Sequence, residues 1–239
     1  MSHLEQYPHP FVTVDVLLFA IINNKLSVCL TLRDSEPFKD VWALPGTYIH
    51  EDESAEGAID RLLVQKLGFS AEIYLEQLHT FTELHRDPRD RVISIAYLGI
   101  TAHPELIDKP WITWYEIQNT SQKCRLISED KTFLSSNLAF DHSDILLLGL
   151  DRLIGKLEYT DIVFRFLPDT EFTARQLREI YQAITGQEIN RGNFTKYIMN
   201  TYEQRGLITK CGTRSEGPGR PADTYRYNNP KGGSLWIKS

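Results

Sequence analysis

Long apolar runs are missing from this 239-residue chain. No stretch approaches the length that carries a helix across a bilayer. The opening residues, Met1-Ser2-His3-Leu4-Glu5-Gln6, are polar and unlike a signal peptide. The expectation is a soluble, cytoplasmic protein with no membrane partner. Cysteine is scarce: Cys29, Cys124 and Cys211 lie far apart with no Cys-x-x-Cys pair. That argues against zinc and for a reducing compartment, each thiol serving as a small buried or half-buried side chain. His50, His79 and His85 lack metal-ligand spacing and read as loop or surface residues. A net basic charge is absent too, since 26 Lys+Arg face 32 Asp+Glu. The deficit is uneven: residues 155–239 carry 13 Lys+Arg against 9 Asp+Glu, leaving 13 against 23 in residues 1–154. An acidic front and a basic back predict two modules, with any polyanion bound at the C-terminal end.

At 41% hydrophobic and 24% charged, the chain has the composition of a globular protein. Val12–Ile22 is rich in β-branched residues and predicts a strand, turned by Asn23-Asn24 into a second strand over Leu26–Leu32. A helix is expected over Ala55–Leu67, capped by Ser54, then strands near Glu72–Thr82 and Arg91–Thr101. Shorter strands follow at Trp111–Trp114 and Arg125–Ile127, and a helix over Asp141–Leu157. This mixture fits an α/β/α sandwich with a mixed sheet, assigned to residues 1–154.

The second module, residues 155–239, reads differently. Thr173-Ala174-Arg175-Gln176 is a capping box, followed by Leu177, Ile180, Tyr181 and Ile184 at helical spacing and a stop at Gly186. Asn190 caps a second helix, with Phe194, Tyr197, Ile198 and Tyr202 expected on its buried face. A Gly/Pro/Arg-rich tip around Arg214 and Arg220 then leads to Thr224-Tyr225-Arg226-Tyr227, which alternates like a returning strand. Helix, turn, helix, strand, tip, strand is the order of a winged helix-turn-helix. Arg191, Asn193, Lys196 and Asn200 fall off the apolar stripe, and their side chains suit base edges and phosphates. Arg214 and Arg220 flank a tip without bulk, suited to a narrow minor groove. The competing reading is a solvated helix in a helical partner domain.

In the front module, Arg86, Arg89 and Arg91 crowd into a loop stiffened by Pro88 and suit a pair of phosphates. The alternative is a charged loop that pairs with its own Asp87 and Asp90. Arg33, at the end of the second strand, and Phe38, Tyr48 and Asp87 are further candidates for the same pocket.

Trp42-Ala43-Leu44-Pro45-Gly46-Thr47-Tyr48-Ile49-His50-Glu51-Asp52-Glu53-Ser54, running on to Arg61–Phe69, has the frame of a Nudix box, G-x5-E-x7-R-E-U-x-E-E-x-G-U with U aliphatic. Anchored on Gly68, Glu53 and Arg61 fall in place, while Leu62, Gln65 and Lys66 replace the helix glutamates and Thr47 the first glycine. Anchoring on Gly46 instead puts Asp52 in the glutamate's place and displaces Arg61. The Gly68 anchor is preferred because the family usually has two glycines after Leu-Pro. In active members those glutamates hold divalent metals, so the resemblance implies a nucleotide pocket with no catalytic and no metal-binding residues. Glu53, Glu56 and Asp60 are spaced for a displaced metal site, or equally for a solvated helix face at the positive end of the helix dipole.

The whole chain resembles the Nudix-related transcriptional regulators of bacterial NAD metabolism. The resemblance is carried by Leu44-Pro45-Gly46, Arg86-Asp87-Pro88-Arg89, Leu138-Ala139-Phe140-Asp141-His142, Lys156-Leu157-Glu158-Tyr159-Thr160, Asn193-Phe194 and Gly219-Arg220-Pro221-Ala222. It implies a homodimeric repressor of NAD biosynthesis or salvage genes. Such a repressor binds double-stranded operator DNA, releases it on binding ADP-ribose and needs no cofactor. The alternative is a Mg-dependent ADP-ribose or nucleotide pyrophosphatase with a basic accessory domain.

Overall fold

The computed structural model describes residues 7, 9–69, 71, 73–120, 123–215, 221–228 and 235–236. Its spine is β1 (Phe11–Ile22), whose side chains alternate between two cores. Val14, Val16 and Leu18 face one and Leu17 and Phe19 the other. Asn23 and Asn24, both left-handed, turn β1 into β2 (Lys25–Leu32), which pairs antiparallel from Phe19↔Val28 to Ile22↔Lys25. Two adjacent residues with positive φ make the tight turn that matches strand twist.

Two short strands follow, β3 (Trp42–Ala43) on β2 and β4 (Gly46–Tyr48) on β1. After helix α1 (Ala55–Arg61) come β5 (Tyr74–Phe81) and β6 (Val92–Ile100), then β7 (Ile112–Thr120), β8 (Lys123–Ile127) and β9 (Thr132–Leu134). β6 lies parallel to β1 while its other neighbour β5 is antiparallel, so the sheet is mixed. One face is covered by α1 and the turn after it, the other by α2 (His142–Tyr159). This is the expected α/β/α sandwich.

Gly149 marks how closely α2 lies on the sheet, because a Cβ there would come within 2.0 Å of the Leu17 side chain. The helix buries Ile145, Leu146, Leu150, Leu153 and Leu157. Each such side chain contributes up to about 1.5–3 kcal/mol. Residues 154 and 155, between which the sequence reading divides the chain, lie inside α2, so the helix is shared by the two halves. No helix among the described residues is long and apolar enough to cross a membrane.

Beyond α2, β10 (Glu171–Thr173) leads into α3 (Ala174–Thr185) through the expected capping box, and Gly186 closes α3 with a left-handed cap. The Asn190 side chain accepts from the Gly192 and Asn193 amides and so starts α4 (Arg191–Asn193), as expected. A wider turn (Phe194–Met199) and α5 (Asn200–Gln204) extend the rod, followed by β11 (Ile208–Arg214) and β12 (Ala222–Tyr227). β10, β12 and β11 form a three-stranded sheet in that order. Its core includes Phe164 stacked on Tyr227 at 4.3 Å. The last described strand, β13 (Leu235–Trp236), returns to pair with β5.

Two helices depart from the expected α geometry. Leu62–Leu67, after α1, and Phe194–Met199 are π-helical turns. A π turn brings residues five apart onto one face. Leu62 and Leu67 are accordingly both buried, as are Phe194 and Met199. Tyr197, expected on the buried stripe, is instead 58% exposed. Cys211 also departs from expectation: it is exposed on β11, while Cys29 and Cys124 are buried.

Candidate functional site

A pocket of about 690 Å³ opens beside β1, β4 and the π turn after α1. Thr13 and Asp15 form its floor, Arg33 the end of β2, Tyr48 and Lys66 one wall, and Arg89, Phe140 and Trp111 others. Gly46 is required here: a Cβ would come within 2.1 Å of Asp15 Oδ1.

Beneath the pocket lies a buried polar cluster. The Arg86 guanidinium donates to both Asp141 oxygens, at 2.8 and 2.6 Å, and to Asp15 Oδ2 at 3.4 Å. Asp15 also accepts from the Ser94 hydroxyl at 2.5 Å. His142 Nδ1 accepts from the Leu44 amide at 2.8 Å. The ring proton therefore sits on Nε2, which is 3.7 Å from Asp15 Oδ1. Burial lowers the His142 pKa and keeps the ring neutral, in spite of the neighbouring carboxylates. Five remote segments, β1, the turn at Leu44, β6, the 86–89 loop and the start of α2, thus share one cluster.

Phe140 holds a left-handed backbone, with φ of 55°, unusual for an aromatic residue. The Arg33 guanidinium lies 4.7 Å from its ring centroid and that of Arg89 lies 5.6 Å away. Arg89 also approaches the Tyr48 ring, at 5.8 Å.

These facts redistribute the expected ligand residues. Arg33, Tyr48, Arg86, Asp87 and Arg89 all line the pocket. Arg86, however, spends its forked donors on Asp141 and Asp15, which corrects its reading as a phosphate fork. Asp87 is buried and forks onto Arg89, at 3.0 and 2.6 Å, so within the loop the self-pairing alternative holds for this pair. Arg91 turns away, its Nη1 donating to the Glu83 carbonyl, and does not line the pocket. Phe38 stands outside the lining and packs edge-on against Phe140 at 4.9 Å.

Sequence reasoning missed Phe140, Lys66, Asp15 and His142 as pocket residues. Phe140 and His142 were within reach, since they belong to the segment Leu138–His142 that carries the family resemblance. Lys66 was read only as the loss of a glutamate. Its ammonium donates to the Gly46 carbonyl at 3.1 Å. The pocket wall desolvates it and Arg33 repels it, and both lower its pKa.

The residues present do not fit a divalent ion. Leu62 is buried in the apolar core. Glu53 is gripped by Arg61, at 3.1 and 2.6 Å, and its carboxyl is held down at about 2, first by that hydrogen bond. This pair supports the Gly68 register over the one that uses Asp52. The Glu56 carboxylate accepts from the Tyr97 hydroxyl, and burial raises the Asp60 carboxyl. The displaced site on these three acids therefore has no common centre, and no cluster of metal-ligating side chains occurs among the described residues.

At the other end of the molecule, Arg191, Asn193, Lys196 and Asn200 are all exposed along the α4–α5 rod. Tyr197 joins them, its ring 5.1 Å from Lys196 Nζ, and was not anticipated. Arg214 is exposed at the end of β11. Arg220, the other expected wing residue, lies outside the described residues.

Comparison with known proteins agrees with both halves. The NUDIX domain family matches residues 12–132, and the family described as the NrtR DNA-binding winged helix domain matches residues 163–227. The chain is 28% identical over 223 residues to the "ADPR responsive transcriptional repressor NtrR" of Acinetobacter baylyi, covering 92% of this chain and 83% of that protein. The crystal structure of a MutT/nudix family protein from Enterococcus faecalis is similar, with a TM-score of 0.78 at 27% identity, over 95% of this chain and 90% of that one. NrtR of Shewanella oneidensis, complexed with a 27mer DNA, gives a TM-score of 0.71 at 26% identity, over 91% of this chain and 93% of that one.

Proposed function

This chain belongs to the Nudix family and carries an NrtR-type winged helix behind its Nudix domain, and from that premise we propose that it is an ADP-ribose-responsive, DNA-binding transcriptional repressor. Its targets are NAD biosynthesis or salvage genes, and it acts in the cytoplasm as a homodimer on a palindromic operator. The observation that carries this reading is the physical link between pocket and winged helix. Arg86, in the pocket, grips Asp141 at the start of α2. At the far end of α2, the Leu157 carbonyl accepts from Tyr181 of α3, and Lys156 pairs with Glu76 of β5 at 2.7 Å. A ligand that shifts the pocket loop therefore pulls on α2, which Tyr181 of α3 joins through its hydroxyl to Tyr202 of the DNA-facing rod. For a 100-fold release of DNA, the effector must prefer the non-binding arrangement by about 2.7 kcal/mol.

Within the pocket, Arg33, Arg89, Tyr48 and Phe140 hold the effector, the arginines toward its diphosphate and the rings toward its base or ribose. At the operator, Arg191 and Asn193 read bases, while Lys196, Asn200, Arg214 and Arg220 bind phosphate or minor groove. Hydrolysis is not part of this role. Positions 62, 65 and 66 offer no carboxylate, and a sensor that destroyed its ligand would erase its own signal. The test is a gel-shift titration against DNA upstream of the chain's own operon, with and without ADP-ribose. The expected result is a retarded band that ADP-ribose abolishes, with salt-sensitive affinity. No shift, or a shift indifferent to ADP-ribose, overturns the proposal. Separately, incubation with ADP-ribose and Mg²⁺ or Mn²⁺ should yield AMP at well below about 1 s⁻¹.

A further inference from the structure

Four cationic side chains line the pocket: Arg33, Lys66, Arg86 and Arg89. Their partners differ. Arg86 is neutralised by Asp141 and Asp15, and Arg89 by Asp87. Among the described residues, Arg33 and Lys66 form no ion pair. Arg33 donates to the Pro37 and Ser35 carbonyls, at 2.9 and 3.2 Å, and lies against the Phe140 ring. Among the described residues Lys66 makes a single hydrogen bond, to the Gly46 carbonyl, which leaves two of its three donors for another acceptor. Desolvation first, and then repulsion by a neighbouring cation, lowers the pKa of each: Arg33 acts on Lys66, and Arg89 on Arg33. Nearby carboxylates, Asp87 and Asp34 for Arg33 and Asp15 and Asp34 for Lys66, offset this only in part, since both groups stay lowered. Two cations without a direct ion-pair partner in one pocket favour an anion with more than one charge.

Lys66 occupies a position where the Nudix box has a metal-holding glutamate. We infer that its ammonium takes over the work of the divalent ion: with Arg33, it binds the diphosphate of the effector, so that binding needs no metal. This rests on the ADP-ribose reading above and adds how the charge is met. A glutamate-to-lysine exchange does more than remove catalysis, because it converts the anionic holder of a cation into the cation itself. The exchange also explains why loss of the metal ligands leaves a usable pocket. Without Lys66, a diphosphate on this side of the pocket would meet the Gly46 carbonyl and Gln65 and would depend on the arginines alone for charge.

Calorimetric titration of ADP-ribose into the full chain, in EDTA and in Mg²⁺, tests the inference. Equal affinity in the two buffers is expected. Lys66→Gln should weaken binding about 10- to 100-fold, the worth of one hydrogen bond to a charged group. Lys66→Glu should bind poorly in EDTA and recover in Mg²⁺. Because Lys66 is solvent-accessible, both variants should keep the native circular dichroism and elution volume. A wild-type affinity that collapses in EDTA, or one that Lys66→Gln leaves unchanged, overturns the inference but leaves the sensor intact. Absence of wild-type binding in both buffers overturns the sensor itself.

Discussion

Replacing Arg86 by Met tests the buried cluster that joins the pocket to α2. The Arg86 side chain is 4% exposed and sits between Asp141, 12% exposed, and Asp15, 8% exposed. Methionine keeps the unbranched stem and leaves only the guanidinium's space to be refilled. The main loss is electrostatic. Asp141 loses both hydrogen bonds from the fork, while Asp15 keeps the Ser94 hydroxyl and its contact with His142. Stranding a buried charge by removing its partner costs about 3–5 kcal/mol. Residual solvent at Asp141 favours the lower end, about 3 kcal/mol. For a chain of this size each kcal/mol moves Tm by about 2–4 °C, so the expected drop is about 6–12 °C. Scanning fluorimetry and urea unfolding of the full chain read it directly. Arg226→Met is the control: it breaks an ion pair whose side chains are 57% and 40% exposed and should leave Tm almost unchanged. Adding Asp141→Leu to Arg86→Met should recover part of the loss, because the stranded charge is what costs. If Arg86→Met is no less stable than Arg226→Met, the cluster is not holding α2 to the pocket and the proposed coupling route fails with it.

Other expectations are simpler to read. The Glu53 carboxyl should titrate with a midpoint of about 2 by carbon-13 NMR, because the Arg61 hydrogen bond favours its charged form. Its contribution to stability is complete above the unfolded value, about 4.3, and is lost as pH falls toward 2; an ordinary midpoint would show the pair to be broken in solution. With a thiol reagent, one cysteine, Cys211, should react in the native chain and all three in denaturant. Burial pushes Cys124 up to about 11 and Cys29 higher still. On the operator, Arg191→Ala or Asn193→Ala should each cost about 1–3 kcal/mol and relax preference at one base pair. Neither should change ADP-ribose affinity without DNA. Operator binding at full strength in both variants would remove them from the base-reading set.

What the sequence determined by itself was local in origin. The β1–β2 turn needed only Asn23-Asn24, the cap of α3 only Thr173 and Gln176, and its end only Gly186, because each depends on neighbours within a few residues. The exposure of Arg191, Asn193, Lys196 and Asn200 followed from their spacing against Phe194 and Tyr202. Even so, the π turn moved Tyr197 out and Met199 in, because helix register answers to packing as well as to pattern. Tertiary structure alone decided which charges were available. Arg86, Arg89 and Arg91 look alike in a string of letters. Yet Asp141, 55 residues away, and Asp15, 71 away, claim the first, Asp87 claims the second, and the third turns to a carbonyl outside the pocket. The same holds for Lys66, whose ammonium meets the Gly46 carbonyl across 20 residues of chain. Electrostatic partnership depends on distance in space, and folding brings into hydrogen-bonding range groups whose separation along the chain says nothing about their meeting.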